Sequence, residues 1–485
     1  MPKNVLLDQP KPFYMIFVLE FWERFGFYGV QALIVLFMVQ KLKYSDMQAV
    51  SLFTSFSALV YLLPGLGGYI GDKILGTKRT ILLGAIVLAI GYLILSLPNM
   101  NDSITLPMAI IVVGNWLFKA NPSSLLSKIY QNTDHNLDSG FTLYYMAINV
   151  GALISMSLIP ILSHYFGWHV GFLGCFIGLI IAIVSFIAMR STVKDIGTAP
   201  KSINPIYQII LLSVIIAVSI AGCNWLLIHY QLTQWALLVG GGALLLYYLA
   251  QLAKSKKTEK GPMLLCLILI IQAIVYFVLY NQMPTSLTLF VLRNVEHSIL
   301  GIPVLPGSFQ GLNSFWIMAM SPILAIVYNR MSNKGTDFSL PGKFALGTFL
   351  AGLGYLVLPL GTVFSDGSGI ISSIWVVLSY FFQSVGELMI SAIGLSMVAQ
   401  LIPQRLVGFV MGFWFLCTSI AGIIAGKVAN LASIPSDITD PIQSLPIYNA
   451  LFLKIGIVTV VISLAMGIFV PLLKKLLAPQ PIQSN

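Results

Sequence analysis

The sequence predicts an all-α polytopic membrane protein, built as two six-helix halves with a two-helix hairpin inserted between them. Its 485 residues are 58% hydrophobic and only 9% charged, with a mean hydropathy of +0.91, a composition that no soluble chain of this size matches. About fourteen apolar runs are long enough to cross roughly 30 Å of hydrocarbon. The seventh and eighth, near 206–228 and 233–253, contain no Lys, Arg, Asp or Glu. With nothing to titrate or pair, they read as a lipid-facing hairpin, and a six-plus-two-plus-six count follows.

Taken in order, residues 1–12, MPKNVLLDQPKP, are polar and mildly basic, with no apolar core ending in a small-residue cleavage site, so this leader is expected to stay cytoplasmic. Six runs near 13–38, 47–70, 80–98, 105–127, 140–163 and 169–189 make a first bundle over 13–190. A linker carrying the hairpin occupies 191–261, a second six-helix bundle 262–473 and a cytoplasmic tail 474–485. The even-numbered connections collect cations: Lys73, Lys78 and Arg79; Lys128; Arg190, Lys194 and Lys201; Lys254, Lys256, Lys257 and Lys260; Arg330, Lys334 and Lys343; Arg405. The opposite connections hold chiefly Lys41, Lys43 and Arg293, and gather Asp102, Glu296, Asp366, Asp437 and Asp440. Cations retained on one side put both termini in the cytoplasm, and they account for the net charge of +10 without a nucleic-acid partner.

Several chemistries are absent from the pattern. Cys175, Cys223, Cys266 and Cys417 all sit in apolar runs without paired spacing, which argues for buried thiols and against a disulfide framework or a metal site. The histidines His135, His164, His169, His229 and His297 fall at run ends or in loops without ligand spacing, so neither a metal nor a histidine proton switch is expected. No HExxH, GxSxG or phosphate-cradling Gly-Lys-Ser/Thr sequence occurs, and no enzyme or cofactor is expected.

The chemistry gathers instead in the first run, EFWERFGFYGVQALIVLF, which places Glu20, Glu23 and Arg24 at bilayer depth. On insertion scales such charges cost roughly 2.5–3.5 kcal/mol each, so they need partners and usually a task. Glu20, Glu23, Arg24, Phe27, Tyr28 and Gln31 share one helical stripe, while Phe21, Trp22, Phe25, Val30 and Leu33 point elsewhere. Glu20, four residues before Arg24, is placed to pair with it, which leaves Glu23 to take and release a proton. Two more ionisable groups lie deep in spans: Lys119 in GNWLFKANPSS and Glu387 in YFFQSVGELMISAIG. Lys119 needs an anion, and the glutamates of the first run are the candidates. Polar residues recur at four-residue intervals around these groups, as Asn115 and Lys119, Tyr145 and Asn149, and Gln383, Glu387 and Ser391, with Asn313 and Trp316 opening the tenth run. Asn115, Gln383 or Ser391 taken alone reads as interhelical glue, whereas Lys119 and Glu387 point to function, since a purely structural role could be met by residues cheaper to bury. Pro122 permits a bend beyond Lys119, and Gly151 permits a neighbouring helix to approach.

The connection GLGGYIGDKILGTKR at 65–79 resembles, with one inserted residue, the loop of the major facilitator superfamily in which acidic and basic residues latch helices as two halves rock. EFWERFGFYG at 20–29, GLGGYIGD at 65–72, LFKANPSSL at 117–125 and YYMAINVG at 144–151 together resemble the signatures of the proton-dependent oligopeptide transporter family. YNQMPTSL at 280–287, RNVEHSILG at 293–301, QSVGELMIS at 383–391 and MVAQLIPQRLVGFVMG at 397–412 are similar to bacterial peptide permeases of that family, so the resemblance spans the whole chain.

The resemblance implies a proton-coupled symporter that imports di- and tripeptides by alternating access in the major facilitator fold, acting as a monomer. Glu20, Glu23 and Arg24 occupy the family's ExxER motif, where proton binding is coupled to transport, with Lys119 as the basic partner. Arg24, Lys119 and Tyr28 match the positions that hold the peptide carboxylate, and Glu387 matches the position that holds its amine. Asn149, Asn313, Tyr61 and Tyr145 match polar contacts to the peptide backbone. Many relatives have arginine where this chain has Gln31, and an acidic residue near Asn281, so an ion pair gating the outer side there is expected to be missing. The chemistry leaves two alternatives: a proton-coupled carrier of another small zwitterion or amine-containing drug-like compound, and a membrane receptor that does not transport.

Overall fold

The computed structural model describes residues 9–62, 64–98, 104–130, 137–194, 196–198, 205–334, 338–365, 367–435, 438 and 440–476. The first eight residues of the leader, the tail beyond Leu476, and Asp102, His135, Lys201, Asp366 and Asp437 lie outside the described residues. The chain divides into two compact units, Met1–Tyr44 with Ser55–Thr233, and Ser45–Thr54 with Gln234–Asn485.

The first unit holds α1 (Lys11–Gln40), the later part of α2 (Asp46–Leu62), α3 (Pro64–Lys73), α4 (Thr77–Leu95), α5 (Thr105–Lys119), α6 (Asn121–Ile129), α7 (Leu137–Phe166), α8 (Trp168–Met189) and α9 (Pro205–Ile228). Pro10 precedes α1, where its fixed φ suits entry and a missing N–H costs nothing. α1 is the central helix and packs on α7 and α8. Its approach to α7 is backbone-close because Gly151 has no side chain: a β-carbon there would fall 2.5 Å from the Phe21 carbonyl oxygen. Ser155, one turn further along α7, donates its hydroxyl to the carbonyl of Phe25. The fourth expected span is present as α5 and α6, broken at Ala120, with Pro122 in the first turn of α6. The Asn121 amide bridges the break by donating to Leu117 O at 2.7 Å and to Gly67 O at 3.0 Å. At the turn between α3 and α4, Lys128 Nζ reaches both Asp72 Oδ1 and Thr77 Oγ1 at 2.8 Å, which gives the 65–79 connection the latch its composition suggested.

The second unit holds the start of α2, most of α10 (Tyr230–Lys254), α11 (Lys257–Tyr280), α12 (Thr288–Asn294), α13 (Gly311–Asn333), α14 (Leu340–Val363), α15 (Ser373–Leu401), α16 (Val407–Ala429) and α17 (Pro441–Lys475). The termini of these helices follow capping rules. Asp440 Oδ1 accepts from Ile442 N at 2.9 Å to open α17, whose last turn carries Lys474 and Lys475, complementing the helix dipole at both ends. Glu259 accepts from the Lys256 N–H at 3.2 Å to open α11, and Arg405 grips the same carboxylate through two nitrogens at 2.6 and 2.8 Å. Two short strands, β1 (Ser298–Ile299) and β2 (Ile302–Pro303), pair antiparallel after α12, turning on Leu300 and Gly301 with positive φ. α14 sits between α15 and α17, and it meets α15 glycine to glycine: a β-carbon on Gly386 would lie 2.5 Å from Gly347 O.

Thirteen helical stretches among the described residues are long and apolar enough to cross a membrane, and the broken α5–α6 pair supplies the remaining expected run. The uncharged hairpin is largely exposed, as its composition predicts, yet each of its helices keeps one packed face. α9 lays Leu212, Ile216 and Ile220 on a cluster of Ile70, Val87, Ile110 and Leu117, and Gln208 Nε2 donates to Ile74 O at 2.9 Å. α10 packs on α16 instead: Tyr247 meets the Phe409 ring at 4.8 Å, Tyr248 the Phe413 ring at 5.7 Å, and Lys427 lies 4.8 Å from the centroid of Trp235.

Candidate functional site

In the first unit, α1 buries all three charges of its stripe: Glu20 is 4%, Glu23 0% and Arg24 6% exposed. Arg24 Nε lies 2.5 Å from Glu23 Oε2 and 3.2 Å from Glu20 Oε1. This corrects the expectation that Glu20 alone takes the arginine and leaves Glu23 unpaired. Side chains on a helix lean toward its N-terminus, so the long arginine stem folds back between both carboxylates. The Arg24 guanidinium also stacks 5.2 Å from the Phe27 centroid. A neighbour the sequence reading passed over completes the cluster: Tyr144 of α7, 9% exposed, hydrogen-bonds Glu20 through its hydroxyl. The signal was available, since Tyr144, Gly151 and Ser155 fall on one helical stripe and the latter two face α1.

Lys119, at the end of α5, departs from expectation. No carboxylate lies within 4.0 Å of it among the described residues. Its Nζ instead sits 3.5 Å from the centroid of the Tyr61 ring, within Coulombic reach of Arg24, Glu23 and Glu20. An aromatic face offers a cation about 0.5–2 kcal/mol depending on desolvation, and that hold is readily exchanged for a true anion. Trp116 fixes the segment by donating Nε1 to Leu59 O at 2.7 Å. Asn149, 6% exposed, spends its amide on its own helix, donating to Tyr145 O at 2.9 Å. Tyr28 is half-buried and the Tyr145 side chain is 41% exposed. The first unit therefore brings Glu20, Glu23 and Arg24 together, sets Lys119 on Tyr61, and places Tyr145 and Asn149 one turn apart.

In the second unit, Asn313 of α13 and Glu387 of α15 meet. Asn313 Nδ2 donates to Glu387 Oε2 at 2.8 Å, and Glu387 is 9% exposed. One turn along α13, Trp316 Nε1 donates to Val377 O at 3.2 Å and its ring meets Phe381 at 5.0 Å. Gln383, four residues before Glu387, donates to Ser379 Oγ at 2.9 Å on its own helix, a bond within α15 and not the interhelical one expected of it.

The ion pair expected to be missing near Gln31 and Asn281 has a counterpart elsewhere in the second unit. Arg293 of α12 reaches Asp46 of α2 through two nitrogens at 2.7 and 2.8 Å, and Tyr448 Oη at 2.6 Å, while Asp46 also accepts from Ile434 N at 3.1 Å. Asp46 was invisible as a partner because an acidic residue opening a helix is ordinary. Asn430 Nδ2 adds a bond to Ser51 Oγ at 2.9 Å on the same segment.

Buried, mutually paired charges inside the spans of a multi-pass helical membrane protein mark a functional site and fit the transporter class. Sequence comparison narrows that class. The POT family signature matches residues 78–445. The chain is 48% identical to dipeptide and tripeptide permease B of Xenorhabdus bovienii over 475 residues, covering 97% of each chain, and 46% identical to that of Salmonella typhimurium with the same coverage. Its fold is similar to tetrameric PepTSo2, with a TM-score of 0.87 and 35% identity over 96% of this chain and 99% of that one. A bacterial homologue of the human drug peptide transporters PepT1 and PepT2 superposes with a TM-score of 0.85 at 35% identity, covering 96% and 100%. The chain belongs to the POT family, the proton-dependent oligopeptide transporters, and it is not an enzyme.

Proposed function

We propose that this protein is a proton-coupled symporter that imports di- and tripeptides across the bacterial inner membrane by alternating access, with both termini in the cytoplasm and a single chain as the working unit. The observation that carries the reading is the buried Glu20–Arg24–Glu23 cluster inside the first span of a chain so similar to peptide permeases. Arg24 and Lys119 take the peptide carboxylate, aided by Tyr28. Glu387, held by Asn313, takes the α-amino group, and Tyr61, Tyr145 and Asn149 meet the backbone shared by all short peptides, which makes selectivity broad.

The coupling follows from shared partners. While Glu23 and Glu20 are ionised they occupy Arg24; a proton on Glu23 neutralises its hold and frees the guanidinium for the substrate carboxylate. Lys119 needs no carboxylate to be displaced, only to leave an aromatic face. At about 2.3 kcal/mol per charge per 100 mV, one inward proton supports roughly 40-fold accumulation at that potential. The experiment is uptake of labelled dialanine into proteoliposomes with and without an imposed proton gradient: gradient-dependent accumulation is expected, and equal uptake in both would overturn the reading. Competition between peptides and non-peptide amines in the same vesicles separates a peptide carrier from a carrier of other zwitterions.

A further inference from the structure

The pair formed by Asn313 and Glu387 has a third member to which the motif around it assigned no role. Ser384, one turn before Glu387 on α15, is fully buried at 0% exposure. Asn313 Nδ2, which donates to Glu387 Oε2 at 2.8 Å, also donates to Ser384 Oγ at 3.1 Å, and the Ser384 hydroxyl donates back to the Asn313 main-chain carbonyl at 3.3 Å. Ser321 of α13 and Ser396 of α15 spend that proton on their own helices, on Ile317 O at 2.6 Å and Ile393 O at 2.9 Å. Ser384 gives its proton to the neighbouring helix instead.

The chemistry of an amide explains why this matters. Asparagine presents an NH2 on one side and a carbonyl oxygen on the other, and half a turn about its last bond exchanges them. With NH2 toward Glu387 the carboxylate is stabilised and aimed; with the oxygen there, two acceptors face each other. Glu387 alone does not fix that choice once a peptide amine arrives, because the amine competes for the same carboxylate oxygens. The Ser384 hydroxyl is both acceptor for the second amide proton and donor to the backbone of the same asparagine, so it distinguishes the two faces whether or not Glu387 is engaged.

We infer that Ser384 is a positioning residue for amine recognition, holding the Asn313 amide with its NH2 toward Glu387 and so presenting that carboxylate to the peptide's α-amino group in one orientation. The inference rests on the proposed role of Glu387. It is tested in proteoliposomes by comparing dialanine with N-acetyl-dialanine as inhibitors of labelled peptide uptake. Ser384→Ala is expected to weaken dialanine about five- to tenfold, the scale of one buried hydrogen bond to a charged network, through KM and with the maximal rate within about twofold. The acetylated peptide keeps its inhibition constant. Ser384→Thr restores dialanine and the isosteric Ser384→Val does not, which isolates the hydroxyl if the alanine variant fails to reach the membrane. In an Asn313→Ala background, Ser384→Ala has no further effect. Equal weakening of both peptides, restoration by valine, or full additivity with Asn313→Ala overturns the inference. Glu387→Gln is the separate control: if it leaves the preference for a free amine intact, the proposed role of Glu387 fails, and that outcome is read independently of Ser384.

Discussion

The two units bury acid in opposite ways. In the first, two carboxylates each lie within 3.2 Å of one guanidinium nitrogen on a single helix, with a lysine resting on an aromatic ring nearby. In the second, one carboxylate is held by neutral donors, an amide at 2.8 Å with a serine behind it. Buried charge is tolerated when it is paired and costly when it is not. The first arrangement carries its own cation, and a proton entering it changes which partner holds which. Among the described residues no cation lies within 4.0 Å of the second, so its carboxylate is best satisfied by a positive group arriving from outside. On the proposed roles, the contrast separates proton handling from amine binding, and it can be broken one residue at a time.

The largest effect is expected at Glu23. Glu23→Gln removes the closest anion from Arg24 without changing shape, so gradient-driven accumulation of dialanine falls to the level seen without a gradient, while peptide exchange between the two sides of the vesicle persists. Driven uptake at the wild-type level in that variant would erase the distinction between the units. Next comes Glu387→Gln, which keeps the amide bond network but removes the charge: affinity for free-amine peptides drops by roughly 30-fold or more, on the scale of losing one partner of a buried charge pair, with the response to the gradient preserved. A smaller loss, about tenfold in the gradient-driven component, is expected for Tyr144→Phe, which takes a hydroxyl from Glu20 and nothing else. Exchange rates measured in parallel sharpen the point, since a variant that slows both equally speaks for packing. The smallest is Tyr61→Leu, which deprives Lys119 of its ring and shifts peptide KM by a few-fold, the scale of a partly desolvated cation–π contact.

How much of this was legible in the chain depends on how far apart the partners are in sequence. The spans, the charged stripe of α1, the break beyond Lys119 and the approach at Gly151 all express local rules of hydropathy, helical period and backbone sterics. The pairing of Arg24 with Glu23 was missed because adjacent residues on a helix do not face each other, yet a side chain as long as arginine bends across the gap. The Tyr61 ring beneath Lys119 could not be read at all, since it depends on how α2 packs beside α5. Ser384 was passed over for a different reason: a serine among apolar residues ordinarily closes on its own helix, and only the observed direction of its proton shows otherwise.

The meeting of Gly347 with Gly386 gives that second carboxylate its address. With only hydrogen atoms between the two chains, α14 sets how deep α15 may sit, and Glu387 is the very next residue. A single methyl at either glycine would lever α15 outward and carry the acid off its amide; on the role proposed for Glu387, that would dull the sense of a free N-terminus from a distance. Specificity here is written partly in what two positions leave out.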